Sequence, residues 1–258
     1  MVAVGIVVAY FVLRRDIARR AVVKDPAALA ETLIALPCLA GIAGARLYDI
    51  LESPSQFFAN PLGQLFSQFG FTWTGGLVAG FLVLAWLARR HKISLLLVLD
   101  MASPAAAIGY GLGRMGCLLS GDGDYGTPTS LPWGMSFPNG LVPTTDRVHP
   151  TPIYEFIGAC AIACVLWRMS ARTGQLARKE RQASSPHTQA SSPKCTGPRI
   201  GTVFAAYLVL TGVVRFLVEF IRINPRSFFG LTNAQASSLL CIVVGAALLY
   251  WLHEQRAA

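Results

Sequence analysis

Ile200-Gly-Thr-Val-Phe-Ala-Ala-Tyr-Leu-Val-Leu-Thr-Gly-Val-Val-Arg215-Phe-Leu-Val-Glu219-Phe220 is an apolar run in which Arg215 and Glu219 are the only charges. Its length matches the roughly 20 residues a helix needs to cross the hydrocarbon of a bilayer. In lipid a helix satisfies its own backbone polar groups, whereas an open strand does not. The stretch therefore reads as a membrane helix. A guanidinium and a carboxylate inside it are costly to hold there and ask for a reason.

Similar runs lie on either side. The chain of 258 residues is 53% hydrophobic and 14% charged, with a mean hydropathy of +0.51. A soluble domain carries roughly 25% charged residues. Apolar runs at Pro26 to Leu51, Gly75 to Arg89, Ile93 to Ser120, Thr151 to Met169, Ile200 to Phe220 and Ala234 to Leu252 read as spans. The run Val2 to Leu13 is too short to cross alone, so its helix is expected to begin upstream or to cross in part. Arg14 to Lys24 reads as a basic loop, Gly121 to Pro150 as a long outer loop, and Ser170 to Arg199 as a disordered linker poor in apolar residues. The expected fold is all-α: a single integral membrane domain, a polytopic bundle of about seven transmembrane helices over residues 1–258.

The net charge of +9 does not point to nucleic acid, because Lys and Arg cluster in short loops. Sixteen of the 22 fall after spans one, three and five and in the tail, three fall in the opposite loops, and three lie inside spans. Cytoplasmic loops carry the positive excess, so the N-terminus is expected outside and the C-terminus inside. Six cysteines without a CxxC pair give no disulfide framework and no metal site.

The three arginines inside spans are Arg46, Arg114 and Arg215, each in the outer half of its helix under this topology. Guanidinium groups converging from different helices suit a phosphate, which Arg grips through paired donors. Snorkelling to the interface is the plainer reading for Arg46 and Arg114, and pairing with Glu219 for Arg215. Arg215, Glu219 and Arg222 share one helical face. Gly111 to Gly126 carries glycines past the end of a span into a loop with Asp122 and Asp124. His149-Pro-Thr-Pro-Ile-Tyr-Glu155 looks like a helix start, with Thr151 as N-cap and Pro152 at N1. Glu155 in the first turn is explained by the helix dipole alone. His149 is the one histidine outside the cytoplasmic segments.

Taken in order along the chain, Gly44-Ala45-Arg46-Leu47, Gly75-Gly76-Leu77, Gly113-Arg114-x-Gly116 through Tyr125-Gly126, His149-Pro150-Thr151 with Tyr154-Glu155, and Arg215-x-x-x-Glu219-x-x-Arg222 resemble the prolipoprotein diacylglyceryl transferase family. The resemblance departs at Cys117, where family members commonly have Asn, and at Thr74, where they often have His. The loop Gly121 to Gly126 is also one residue longer than usual.

The resemblance implies a bacterial inner-membrane enzyme that moves a diacylglyceryl group from phosphatidylglycerol to the lipobox cysteine of a prolipoprotein signal peptide. No metal or cofactor is implied. Arg114 and Arg215 are expected to hold the phosphate and stabilise the leaving group, with Glu219 orienting an arginine. His149, Asp122 or Asp124 is expected to take the thiol proton. Arg46, Arg222, Gly75, Gly76, Gly126 and Tyr154 are expected to line the lipid site, and the outer loop 121–150 to be catalytic. The rival expectation is a lipid-binding protein or small transporter without catalysis. A carrier needs polar groups toward the cytoplasmic side, and no charge is expected in the inner half of any span.

Overall fold

The computed structural model describes residues 1–61, 63, 72–183, 199–225 and 230–257. Its elements are helices α1 (Val2–Arg20), α2 (Pro26–Glu52), α3 (Pro54–Ala59), α4 (Trp73–Arg90) and α5 (Leu95–Ser120), strands β1 (Met135–Phe137) and β2 (Thr144–Val148), then α6 (Thr151–Ala183), α7 (Thr202–Val218) with a 3-10 turn at Glu219–Ile221, and α8 (Asn233–Ala257). The protein is predominantly helical. Among the described residues, five helices are long and apolar enough to cross a membrane: Pro26–Glu52, Leu95–Ser120, Thr151–Arg172, Thr202–Ile221 and Asn233–Gln255. Large apolar side chains such as Leu39, Ile42, Leu82 and Val243 are exposed, as helices facing lipid require.

The chain divides into two compact units, Asp25–Val98 and the remainder, Met1–Lys24 with Leu99–Ala258. In the first, Asp25 caps α2 by accepting from Ala27 and Ala28 N–H at 3.0 and 3.2 Å, with Pro26 opening the helix. α2 and α4 pack backbone to backbone through glycines. A methyl placed on Gly44 would lie 2.3 Å from Ala79 Cβ, and one on Gly75 would lie 2.4 Å from the Gly44 carbonyl oxygen. Small residues at such a crossing let two helices approach closely in lipid. Gly75 and Gly76 are thus accounted for by packing.

The second unit gathers α1, most of α5, α6, α7 and α8. Ala107, Ile162, Leu166 and Val203 form its core, joining α5, α6 and α7. Three expectations change here. Arg14 to Arg20 is not loop: α1 continues to Arg20 because Asp16 and Arg20 pair at 3.0 Å, one turn apart and buried. α6 continues to Ala183, so residues 170–183 of the expected linker are helical, while 184–198 lie outside the described residues. Asp100 is a buried carboxylate early in α5, toward the end expected to be cytoplasmic.

The segment after α5 is built, not merely looped. β1 and β2 pair antiparallel, and residues 126–128 add a further edge through Pro128 beside Val148. Gly126 then pairs with Arg222 beyond α7. Gly121 ends α5 at φ +59°, a conformation cheap only for glycine. Tyr125 stacks on Phe137 at 4.4 Å and its hydroxyl donates to the Val142 carbonyl at 3.0 Å. Asp124, the residue before it, is thereby fixed in place.

Candidate active site

Three elements of the second unit bring their charged residues together at one end. Arg114 comes from the last two turns of α5, Glu155 from the second turn of α6, and Arg215 from the last turn of α7. Glu219 and Arg222 follow in the 3-10 turn and its end. Asp124 arrives from the loop that Tyr125 anchors.

The Glu155 carboxylate is the hub. Its Oε2 meets Arg114 Nε at 2.5 Å, its Oε1 is bonded by Arg215 Nη1, and Arg222 Nη1 stands 3.6 Å from the same Oε1. Arg215 Nη2 also pairs with Glu219 Oε2 at 2.9 Å. Asp124 takes Arg114 on one oxygen and Arg222 on the other. Glu219 is steadied by Asn224 at 2.5 Å and by the Thr232 hydroxyl at 2.9 Å. Three cations and three carboxylates balance, which is how buried charges are tolerated.

Exposure sorts them. The side chains of Glu155, Glu219 and Arg222 are at most 5% exposed, whereas Arg114 is 17%, Arg215 23% and Asp124 26% exposed. The buried three form a base that aims two arginines outward. Arg114 is aimed further by the Tyr110 hydroxyl, which accepts from its Nε at 3.1 Å. Cys117 Sγ lies 3.8 Å from Arg114 Nη1.

The aspartates take different parts. Burial alone would raise the Asp124 pKa, but Arg114 and Arg222 outweigh it and hold the carboxyl below the usual carboxylate range. Asp124 is therefore an ion-pair partner and a poor proton acceptor. Asp122 closes the turn by accepting from Asp124 N–H at 3.2 Å. Cys117, Asp122 and Asp124 offer ligand atoms within 4.8 Å of one another, yet Asp124 is already held by two guanidinium groups. Their charge opposes a metal cation there.

His149 is held next to this network rather than in it. Its Nδ1 lies 3.1 Å from the Tyr154 hydroxyl, which accepts from Trp133 Nε1 at 2.8 Å. Its backbone pairs with Gly126 and Thr127. A methyl on Gly126 would lie 2.7 Å from both His149 Cβ and the Ile221 carbonyl oxygen, so the glycine lets three segments close up. Thr151 is the first residue of α6. Its hydroxyl donates to the Asp124 carbonyl at 2.6 Å, tying the start of α6 to the anchored loop.

Arg46, Gly75 and Gly76 belong to the other unit. There Arg46 is buried on α2 with Asp49 at 3.8 Å. The Arg215–Glu219 pair, given above as the plainer reading, exists, and Arg114 pairs with the loop residue Asp124. Sequence reading left out Glu155, Tyr110, Asn224 and Thr232. The signal for Glu155 was its place beside Tyr154 in the His149 to Glu155 stretch, there credited to the helix dipole.

The family pattern described as prolipoprotein diacylglyceryl transferase matches residues 1–251. The chain is 33% identical to the phosphatidylglycerol–prolipoprotein diacylglyceryl transferase of Geobacter sulfurreducens, over 90% of this chain and 78% of that one. It is 32% identical to the protein of the same name from Polynucleobacter asymbioticus, over 85% and 76%. It is 29% identical to that of Clostridium tetani, over 95% and 88%. With its charged cluster built from the motifs that carry the likeness, the chain belongs to the prolipoprotein diacylglyceryl transferase family.

Proposed function

We propose that this chain transfers the diacylglyceryl group of phosphatidylglycerol to the lipobox cysteine thiol of prolipoproteins in a bacterial inner membrane. The observation that carries this reading is the pair of partly exposed guanidinium groups, Arg114 and Arg215, bridged by the buried carboxylate of Glu155.

In this reading the thiol sulfur attacks the glycerol carbon that bears the phosphoester. A C–S bond forms, the C–O bond breaks, and glycerol 1-phosphate leaves while the thiol proton passes to a base. Negative charge grows on the leaving oxygen. Arg114 and Arg215, held in advance by Glu155, Glu219 and Tyr110, meet that charge without rearranging, which is the most effective form of electrostatic catalysis. An arriving phosphate competes with Asp124 for Arg114, so the exposed carboxylate is the one that yields. His149 is the base in this account, imidazole being the side chain most often used for proton transfer near neutral pH. The chemistry asks for no cofactor.

The site is read as facing the outer side. α1 and α4 complete seven crossings, with the N-terminus outside and the C-terminus inside, on the charge bias of 16 basic residues against three. The hairpin segment 121–150 is then periplasmic.

The direct test incubates the purified full chain with glycerol-labelled phosphatidylglycerol and a lipobox peptide. The expected result is a thioether-linked peptide and one glycerol phosphate released per peptide modified. Lipid binding without either product would favour the non-catalytic reading.

A further inference from the structure

A second buried polar cluster lies at the other end of the same helices, and the proposed chemistry does not touch it. Asp100 on α5 is fully buried and accepts hydrogen bonds from Gly201 and Phe204 N–H, both at 2.7 Å. Those donors belong to the opening turn of α7, whose N–H groups have no partner within their own helix. One helix therefore caps another. In the same cluster Arg20 pairs with Asp16 at 3.0 Å and donates to the Ser170 hydroxyl of α6 at 2.9 Å.

The spacing gives the cap a consequence. Arg114 follows Asp100 by 14 positions on α5, and Arg215 follows Gly201 by the same 14 along α7. At 1.5 Å per residue each step is about 21 Å. On α6, which runs the other way, Ser170 follows Glu155 by 15 positions. The three helices that present Arg114, Glu155 and Arg215 at one end thus enter polar ties at matching heights at the other.

We infer that Asp100 is a positioning residue: by capping α7 from α5 it fixes the axial register that sets Arg215 level with Arg114 about Glu155. Pro104 strengthens the case. A proline inside a helix cannot donate to the carbonyl four residues back, so α5 lacks its own hydrogen bond at the Asp100 carbonyl. The turn of α5 least secured by its own backbone is the turn whose carboxylate grips α7.

This inference rests on reading Arg114 and Arg215 as the phosphate clamp. A shift of about 1 Å in such groups can cost on the order of 100-fold in rate. The loss falls chiefly on kcat, because the misplaced contact is the one that strengthens in the transition state.

The test measures initial rates of purified full chain on phosphatidylglycerol and a lipobox peptide, per molecule of folded protein. Folded protein is counted by gel filtration and thermal melting. Asp100→Ala is expected to lower kcat at least tenfold with the lipid KM within threefold. Asp100→Asn keeps one acceptor oxygen and should recover part of that rate. A residue that merely stabilises the fold would lower yield or melting temperature and leave kcat per folded molecule intact.

Wild-type kcat in folded Asp100→Ala overturns the inference, as does Asp100→Asn turning over no faster than Asp100→Ala. If Asp100→Ala does not fold, Asp100→Asn decides alone: a kcat at least threefold below wild type supports the register role, and a smaller change overturns it. No turnover by the wild type would sink the transferase reading and this inference with it. Turnover by the wild type with an indifferent Asp100 would sink this inference alone.

Discussion

Glu155 Oε2 lies 2.5 Å from Arg114 Nε, an ion pair whose carboxylate side chain is only 1% exposed. A buried carboxylate that also holds Arg215 cannot be lost cheaply, since its removal leaves two guanidinium groups facing each other. Breaking such a buried pair costs roughly 3–5 kcal/mol. Glu155→Gln keeps the shape and loses the charge. It is expected to lower the melting temperature in detergent and to reduce transfer at least a hundredfold. Near-normal turnover would remove Glu155 from the hub role.

Asp124 gives a pH prediction. Its carboxyl is held below the usual range by Arg114 and Arg222, so its folded pKa lies under its unfolded value. The stability it contributes is complete above the unfolded value, about pH 3.9, and is lost as pH falls through the depressed folded value. Melting curves between pH 6 and 2 should show Asp124→Asn less stable than wild type at pH 6, the gap closing at the acid end. A gap constant across that range would show that the ion pairs do not stabilise the fold.

His149 is the proposed proton acceptor, held beside Tyr154 and Trp133. His149→Gln is expected to cut kcat at least tenfold at every pH between 6 and 8. Full turnover across that range would place the base elsewhere, with Asp122 the next candidate because Asp124 is already held by two arginines.

Orientation is open to a reporter test. An alkaline phosphatase domain inserted near Thr129 should be active, and one fused after Gln255 inactive, as the charge bias requires. The reverse pattern would put the arginine cluster on the cytoplasmic side.

Much of the fold was legible because lipid simplifies the reading. A span must be long, apolar and helical, so Pro26–Glu52 and Thr202–Ile221 announce themselves by composition. The errors fell where tertiary partners override composition. Arg14 to Arg20 looks like a loop until Ser170, far along the chain, meets Arg20. Asp100 passes as incidental until its carboxylate is found on the α7 N-terminus.

The site divided in the same way. Arg114 and Arg215 stood out because a charge in an apolar run needs a reason. Glu155 did not, because the helix dipole already explained an acid in a first turn. Asn224 and Thr232 lie in the connection that follows Arg222 and acquire meaning only from the Glu219 oxygen they share.

As proposed here, Arg114 and Arg215 grip a phosphate rather than only balance Asp124, Glu155 and Glu219. Alanine harms both accounts, since it strands buried carboxylates. Lysine separates them: it keeps the charge and can serve a simple ion pair, yet lacks the planar fork that holds two phosphate oxygens. The deciding measurement is the steady-state transfer rate of Arg114→Lys and Arg215→Lys, each first shown to be folded by its melting curve. Both variants are expected to fold and to lose most of their turnover of phosphatidylglycerol. Two lysine variants transferring at near wild-type rate would show that these arginines are structural and that the phosphate clamp does not exist.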